Sequence, residues 1–325
     1  VRFVSLIFIK VILSLMTILI LVVWKSYGIV GVFVAQLLGS GISAIFLFFS
    51  IKKSLIFIFN KNLFVKSFKY ALPQFPARVG SIMLSYANRF FMVGYLSLGA
   101  IGIYSFSLKL ASAIQLVYAA FIMAWAPFMF EQLKKPDHKE TFRKVLPIVG
   151  IIVFFIVSII SLFSKELVQI VASDEFKESY YLVGILSLSF SLLIFKEVVD
   201  IGPKYLEKTQ YLSYTFFYSL GINLISMFIF IKYWGLNGVA FSMLLTNTFL
   251  LVMSWAISNK LYYIPHKVFN FLLLALPTYL IAIVGMFFVP SLLTRIIVAF
   301  GVIIYYGLFS IEGYRNLKKG VLKPN

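Results

Sequence analysis

The chain has 325 residues, 62% of them hydrophobic and 12% charged, with a mean hydropathy of +0.99. Soluble domains run about 45–50% apolar and about 25% charged, so this chain lacks the polar surface to coat a water-soluble globule, and a soluble enzyme is excluded first. Its 29 Lys and Arg against 11 Asp and Glu leave a net charge of +18, and it has no cysteine. That rules out disulfides, thiolate zinc sites and cysteine nucleophiles, and with two histidines no metal site is expected.

A span needs ~20 apolar residues, so this length admits about ten. Apolar segments read at 4–24, 28–50, 70–95, 103–130, 146–163, 180–202, 212–232, 237–258, 269–289 and 293–311. None alternates like a barrel strand, so the expected fold is all-α, a polytopic helical bundle of the cytoplasmic (inner) membrane with about ten spans. The first segment, from Arg2 to Trp24, has the flanks of a signal peptide. No small-residue cleavage pattern follows it and a second apolar run comes at once, so it reads as a retained helix.

The loops carry a consistent asymmetry. With a cytoplasmic N-terminus, 19 Lys and Arg fall on the inner side and 5 (Lys25, Lys165, Lys177, Lys232 and Arg295) on the other. That is a positive-inside pattern with an even number of spans and both termini cytoplasmic. The net charge is thus explained by topology and by contact with anionic membrane lipids, and nucleic acid is not an expected partner. Between Lys52 and Lys69, apolar residues beside lysines suggest a helix lying in the interface. One outer loop is sizeable, Ser164 to Ser179, and it is mildly acidic.

Ionisable groups inside the membrane cost about 2.5–3.5 kcal/mol each at a helix centre, so they face the bundle interior or water. Arg78, Ser81, Ser85, Asn88 and Arg89 follow the three-and-four spacing of one helical stripe. The next helix carries Ser105, Lys109, Ser112 and Gln115, the first Lys10, Ser14 and Thr17, and the second Gln36, Ser40 and Ser43. Such stripes are expected to line a shared wet space whose cations suit an anionic substrate. Snorkelling to the interface is the alternative for Lys10 and Lys109, and for Arg78 and Arg89 as well. Lys196 and Asp200 are four apart and can pair, with Glu197 beside them. Glu197 and Asp200 are candidate sites for a coupling proton or sodium ion, with a structural ion pair as the alternative. Pro73, Pro76 and Pro127 mark candidate helix breaks. His138 and His266 sit in loops without an acidic motif, and no glycine-rich phosphate loop appears, so neither catalysis nor a bound cofactor is expected.

The run from Tyr70 to Pro76, YALPQFP, resembles the Y-x-L-P-x-x-P start of the seventh helix in bacterial polysaccharide and O-antigen flippases of the Wzx type, within the MATE-like superfamily. Asn88-Arg89-Phe90 resembles that family's D-R-F, Gly102 to Ser105 its V-G-I-Y-S, Trp125 to Phe128 its W-x-P-F, and Gly235 to Ala240 its G-x-x-G-A-A. The resemblance implies a two-lobe architecture and movement of undecaprenyl-diphosphate-linked oligosaccharide between leaflets by alternating access, without enzymatic chemistry. It also implies a polysaccharide polymerase and a chain-length regulator as candidate partners. Aligning Tyr70 with helix seven makes 1–51 the last two helices of an incomplete first lobe and 52–69 a cytoplasmic linker. Residues 70–258 become the six-helix second lobe and 259–325 two added helices with a basic tail. Asn88 departs from the family's Asp and removes a titratable group beside Arg89. The expected substrate-binding set is Arg78, Arg89, Lys109, Asn88, Ser85 and Gln115. Two other readings are a multidrug exporter of the same superfamily, which would want interior carboxylates, and a membrane-embedded polysaccharide polymerase or glycosyltransferase, which would want a larger outer loop.

Overall fold

A computed structural model gives the fold and describes residues 2–52, 59–72 and 74–321. The described residues are helical and include no strand. Pro73 and the part of the interfacial segment from Lys53 to Ile58 lie outside them. By length and composition, seven helices among the described residues can cross a membrane. The chain is an all-α, multi-pass membrane protein, as its composition requires.

The chain forms two compact units, 1–65 and 66–325. In the first, α1 (Arg2–Ile18) runs on through a π-helical stretch (Leu19–Trp24) and packs against α2 (Gly28–Ile51). The pairing is antiparallel: a Cβ built on Gly31 would lie 3.2 Å from Leu21 Cβ, and one on Gly39 2.0 Å from Ser14 Oγ. Ser14 is thus spent on packing, while the Thr17 and Ser43 hydroxyls donate to Leu13 O (2.8 Å) and Gly39 O (2.7 Å) of their own helices. Within this unit Ser14 lies in the helix seam, and the Thr17 and Ser43 hydroxyls are bonded to their own helices.

α3 (Lys61–Ala71) is a short basic helix, exposed from Lys61 to Lys69. The second unit continues with α4 (Gln74–Tyr95), α5 (Leu98–Ala111), α6 (Ala113–Gln132), α7 (His138–Leu162) and α8 (Ser164–Val171). A 3-10 turn (Asp174–Ser179) leads into α9 (Tyr180–Val199) and α10 (Ile201–Tyr205). Then come α11 (Gln210–Leu261), α12 (Val268–Phe287) and α13 (Leu292–Val321). α9 is apolar all round and is buried along most of its length, with α5, α6, α7, α11 and α12 packed on it. The run 103–130, read as one segment, is two helices. The Ser112 hydroxyl donates to Lys109 O at 2.6 Å, offering that carbonyl a partner outside the regular ladder where α5 gives way to α6.

α11 is nominally 52 residues but breaks at Gly235, with φ 53° and ψ −126°. Only glycine occupies that backbone region without strain. The two arms, 210–234 and 236–261, fold back on each other as an antiparallel hairpin. Ser226 Oγ meets Ser242 Oγ at 2.6 Å, and Asn223 Nδ2 donates to Thr246 Oγ1 at 3.2 Å. Close to the turn the arms nearly touch, since a Cβ on Gly238 would lie 2.1 Å from Phe230 O. α4 packs along this hairpin, as does α9.

The last two helices are fastened by polar contacts. Thr278 of α12 joins Ser158 of α7 (2.8 Å) and Tyr306 of α13 (2.7 Å). Arg295, expected in an outer loop, is instead buried at 5% exposure. Its guanidinium donates to both Glu166 oxygens (2.6 and 2.7 Å) and to Leu162 O (3.1 Å). The guanidinium hydrogen bond holds the Glu166 carboxyl below its ordinary range, opposed by partial burial.

His266, between α11 and α12, has both ring nitrogens without a hydrogen bond among the described residues and meets Trp255 edge-to-face at 5.7 Å between centroids. Burial lowers its pKa from 6.5 to about 4. The unfolded chain therefore takes the proton first. The His266 contribution to stability is complete above pH 6.5 and is lost progressively as pH falls toward 4. The purified protein should lose thermal stability across this window, and His266→Phe should flatten that part of the curve. Gly235→Ala should cost about 1–3 kcal/mol, because a Cβ is forced into a strained region, and the same melting measurement reads it.

Candidate functional site

Five helices of the second unit enclose a cavity of about 340 Å³. α4 contributes Ser81, Leu84, Tyr86, Asn88 and Arg89; α5 contributes Tyr104 and Leu108; α6 contributes Gln115. α9 adds Phe190 and Leu193, and the α11 hairpin adds Phe216 and Asn223 from one arm and Met243, Thr246, Asn247 and Leu250 from the other. The α4 residues reach it because the stripe spacing turns Ser81, Asn88 and Arg89 to one side of that helix. The hairpin reaches it with both arms because Gly235 brings them side by side.

The lining mixes polar and apolar side chains and is poorly supplied with charge. Among the described residues it holds one cation, Arg89, and no carboxylate. Arg89 keeps its guanidinium 5.3 Å from the Tyr86 ring centroid, a cation–π placement that leaves its donors available. Asn247 Nδ2 donates to Ser189 O at 2.9 Å, fixing the hairpin to α9. The carboxamide oxygens of Asn88 and Asn223 are buried and accept no hydrogen bond from the described residues. Tyr104 stands beside Asn88 but directs its hydroxyl at Met243 Sδ, 3.7 Å away. The site combines a single fixed positive charge, amide and hydroxyl groups of both polarities, and the aromatic walls of Tyr86, Phe190 and Phe216. It can hold an anion at Arg89 and a hydroxylated or amide-bearing group against the carboxamides.

Of the residues expected from sequence, Asn88, Arg89 and Gln115 are brought together here. Arg78 and Lys109 are exposed and are not among the lining residues, and the Ser85 side chain lies outside the described residues. Tyr104, Asn223, Thr246 and Asn247 were not anticipated. Their signal is present in the sequence as neutral polar residues within apolar runs, but without charge it does not stand out.

Glu197 and Asp200 belong to a second cluster near the end of α9. Lys196 Nζ lies 2.8 Å from Asp200 Oδ2 and 3.3 Å from Glu197 Oε1, while Lys204 of α10 pairs with Glu197 Oε2 at 2.6 Å. Lys196 and Asp200 are buried, at 5% and 0% exposure. Trp125 Nε1 of α6 donates to Glu197 O at 3.2 Å and braces the helix end. The spacing of Lys196 and Asp200 thus forms the ion pair it allows. Among the described residues, no group of three or more His, Asp or Glu side chains could hold a metal ion.

These features define an α-helical, multi-pass membrane protein with a polar cavity held among its helices. Residues 1–181 match the family described as polysaccharide biosynthesis protein, and since this is more than half of the chain, the protein belongs to that family. The match takes in the cavity residues of α4, α5 and α6, while those of α9 and α11 lie past its end. No curated protein and no solved structure shows significant similarity to the chain.

Removing one partner of a buried ion pair strands the other, at a cost of about 3–5 kcal/mol. Lys196→Ala should therefore lower the melting temperature sharply, and the neutral pair Lys196→Met with Asp200→Leu should recover most of the loss.

Proposed function

We propose that the protein is a flippase. It carries an undecaprenyl-diphosphate-linked oligosaccharide from the inner to the outer leaflet of the bacterial cytoplasmic membrane, for assembly of O-antigen, capsule or exopolysaccharide. The observation that carries this reading is the lining of the cavity: among the described residues it holds one arginine, no carboxylate, and carboxamides and hydroxyls set beside apolar and aromatic side chains of membrane helices. Arg89 meets the diphosphate, where a guanidinium matches phosphate oxygens. Asn88, Gln115, Asn223 and Asn247 meet sugar hydroxyls and amides, and the aromatic walls take the apolar faces of the rings. Membership of a polysaccharide biosynthesis family supports the same reading.

Movement follows an alternating-access cycle in which the polyprenyl tail stays in lipid and only the polar head crosses. No bond is made or broken. A cavity without a carboxylate is ill-suited to the cationic cargo of a multidrug exporter, since cations want fixed negative charge. The polysaccharide polymerase and chain-length regulator of the same assembly line are the natural partners.

Arg89→Glu should abolish complementation of a flippase-deficient strain while the protein persists in membranes at its normal level. Normal complementation by that variant would remove the cavity from the transport path.

A further inference from the structure

Arg89 is the one cation lining the cavity among the described residues, whereas a lipid-linked diphosphate carries at least two negative charges. A second cation stands just behind the wall. Phe216 lines the cavity, and Lys196 Nζ lies 5.1 Å from the centroid of the same ring. Leu193, also in the lining, precedes Lys196 by three residues on α9, so the two side chains leave that helix on adjoining faces.

The charges around Lys196 alternate in a chain, Lys204–Glu197–Lys196–Asp200. All four lie on α9, α10 and the residue between them, so the ion pairs tie no distant helices together and a role as an inter-helix lock is not served. The two carboxylates are not equivalent. Glu197 is held more closely by Lys204 (2.6 Å) than by Lys196 (3.3 Å). Asp200 has Lys196 alone, and its Oδ1 accepts no hydrogen bond among the described residues.

We propose that Lys196 is a second ligand for the phosphate end of the cargo, reached when the Phe216 ring turns aside, and that its departure from Asp200 is matched by uptake of one proton on the Asp200 carboxylate. The proposal rests on the flippase reading above and adds a residue and a proton to it. A buried carboxylate deprived of its partner is expensive as an anion and is neutralised instead. The proton comes from bulk water and ends on Asp200. Glu197 keeps Lys204 and stays ionised.

The neighbouring elements leave this assignment intact. Tyr118 of α6 lies within electrostatic reach of Lys196 and Glu197, and Arg78 of α4 within reach of Tyr118. α11 contributes the Phe216 ring and Ser258, whose Oγ accepts from Gly202 N of α10 at 2.9 Å. Among the described residues, α5, α7 and α12 place no charged group within ion-pair distance of Lys196, Glu197 or Asp200.

The test is calorimetric binding of farnesyl diphosphate to the full chain in lipid nanodiscs, repeated in buffers of different ionisation enthalpy to count protons. Lys196→Met paired with Asp200→Asn, which leaves no stranded charge, should weaken binding about ten- to hundredfold, the loss expected of one charged hydrogen bond. Asp200→Asn alone should retain binding while taking up about one proton fewer than wild type at the same pH, since protonation of the ligand itself cancels between the two. Unchanged affinity in the double variant, or equal proton counts, overturns the proposal. Arg89→Ala separates the two levels. If it weakens binding and the Lys196 variants do not, only this inference fails. If wild type does not bind, or Arg89→Ala has no effect, the cavity reading fails and takes this inference with it.

Discussion

Within lipid a helix can satisfy its own backbone but cannot hydrate its polar side chains, so those side chains must find one another. In this protein the clearest case is the hairpin folded at Gly235. Its arms meet through Ser226 on Ser242 and Asn223 on Thr246, and the second arm is pinned to α9 through Asn247 and Ser189 O. α4 and α9 both rest on that hairpin, and the cavity is the space the three leave between them with α5 and α6. A residue unable to hold the φ 53°, ψ −126° backbone of this turn would splay the arms, unpair the hydroxyls and carboxamides, and blunt the cavity wall. The conformational freedom of one residue therefore sets the position of four lining side chains on the second arm.

The two polar clusters obey different electrostatics. Among the described residues the cavity holds a fixed cation without a protein counter-ion, which is tolerable because Arg89 is exposed and lies against the Tyr86 ring. The cluster at the end of α9 has equal numbers of cations and carboxylates, as burial demands of charges that must remain ionised. Phe216 separates them. A single aromatic ring thus divides a site with charge to offer from one whose charges already answer each other.

Much of this was legible in the amino-acid sequence, and what was not has physical reasons. Composition defines the membrane class, because no arrangement of so few polar residues covers a soluble surface, and apolar runs without strand alternation make it all-α. Asn88, Arg89 and Gln115 were found because charge and amide at helical spacing stand out against an apolar run, and Lys196 and Asp200 because a pair four apart meets on one face. The break at Ser112 was missed because it falls inside a continuous apolar run and carries no proline or glycine, its one local mark being a hydroxyl bonded to a carbonyl three residues back. Asn223, Thr246 and Asn247 were passed over because neutral groups leave no trace in a search for ionisable residues. Arg295 was taken for a loop cation because Glu166 lies 129 residues away, beyond any local spacing rule.

The Arg295 clamp also sets how the chain would respond to mechanical load. A pull on the C-terminal end is transmitted along α13 and arrives at a guanidinium seated on both oxygens of Glu166 and on the carbonyl of Leu162. Force along the helix axis shears three hydrogen bonds at once and cannot open them one by one. The Tyr306–Thr278–Ser158 chain lies nearer the pulled end and takes load first. Extraction from the bilayer by the C-terminus would accordingly load the Tyr306 contact and then the Arg295 clamp before α13 comes away, while α12 keeps its own bond to Ser158 of α7.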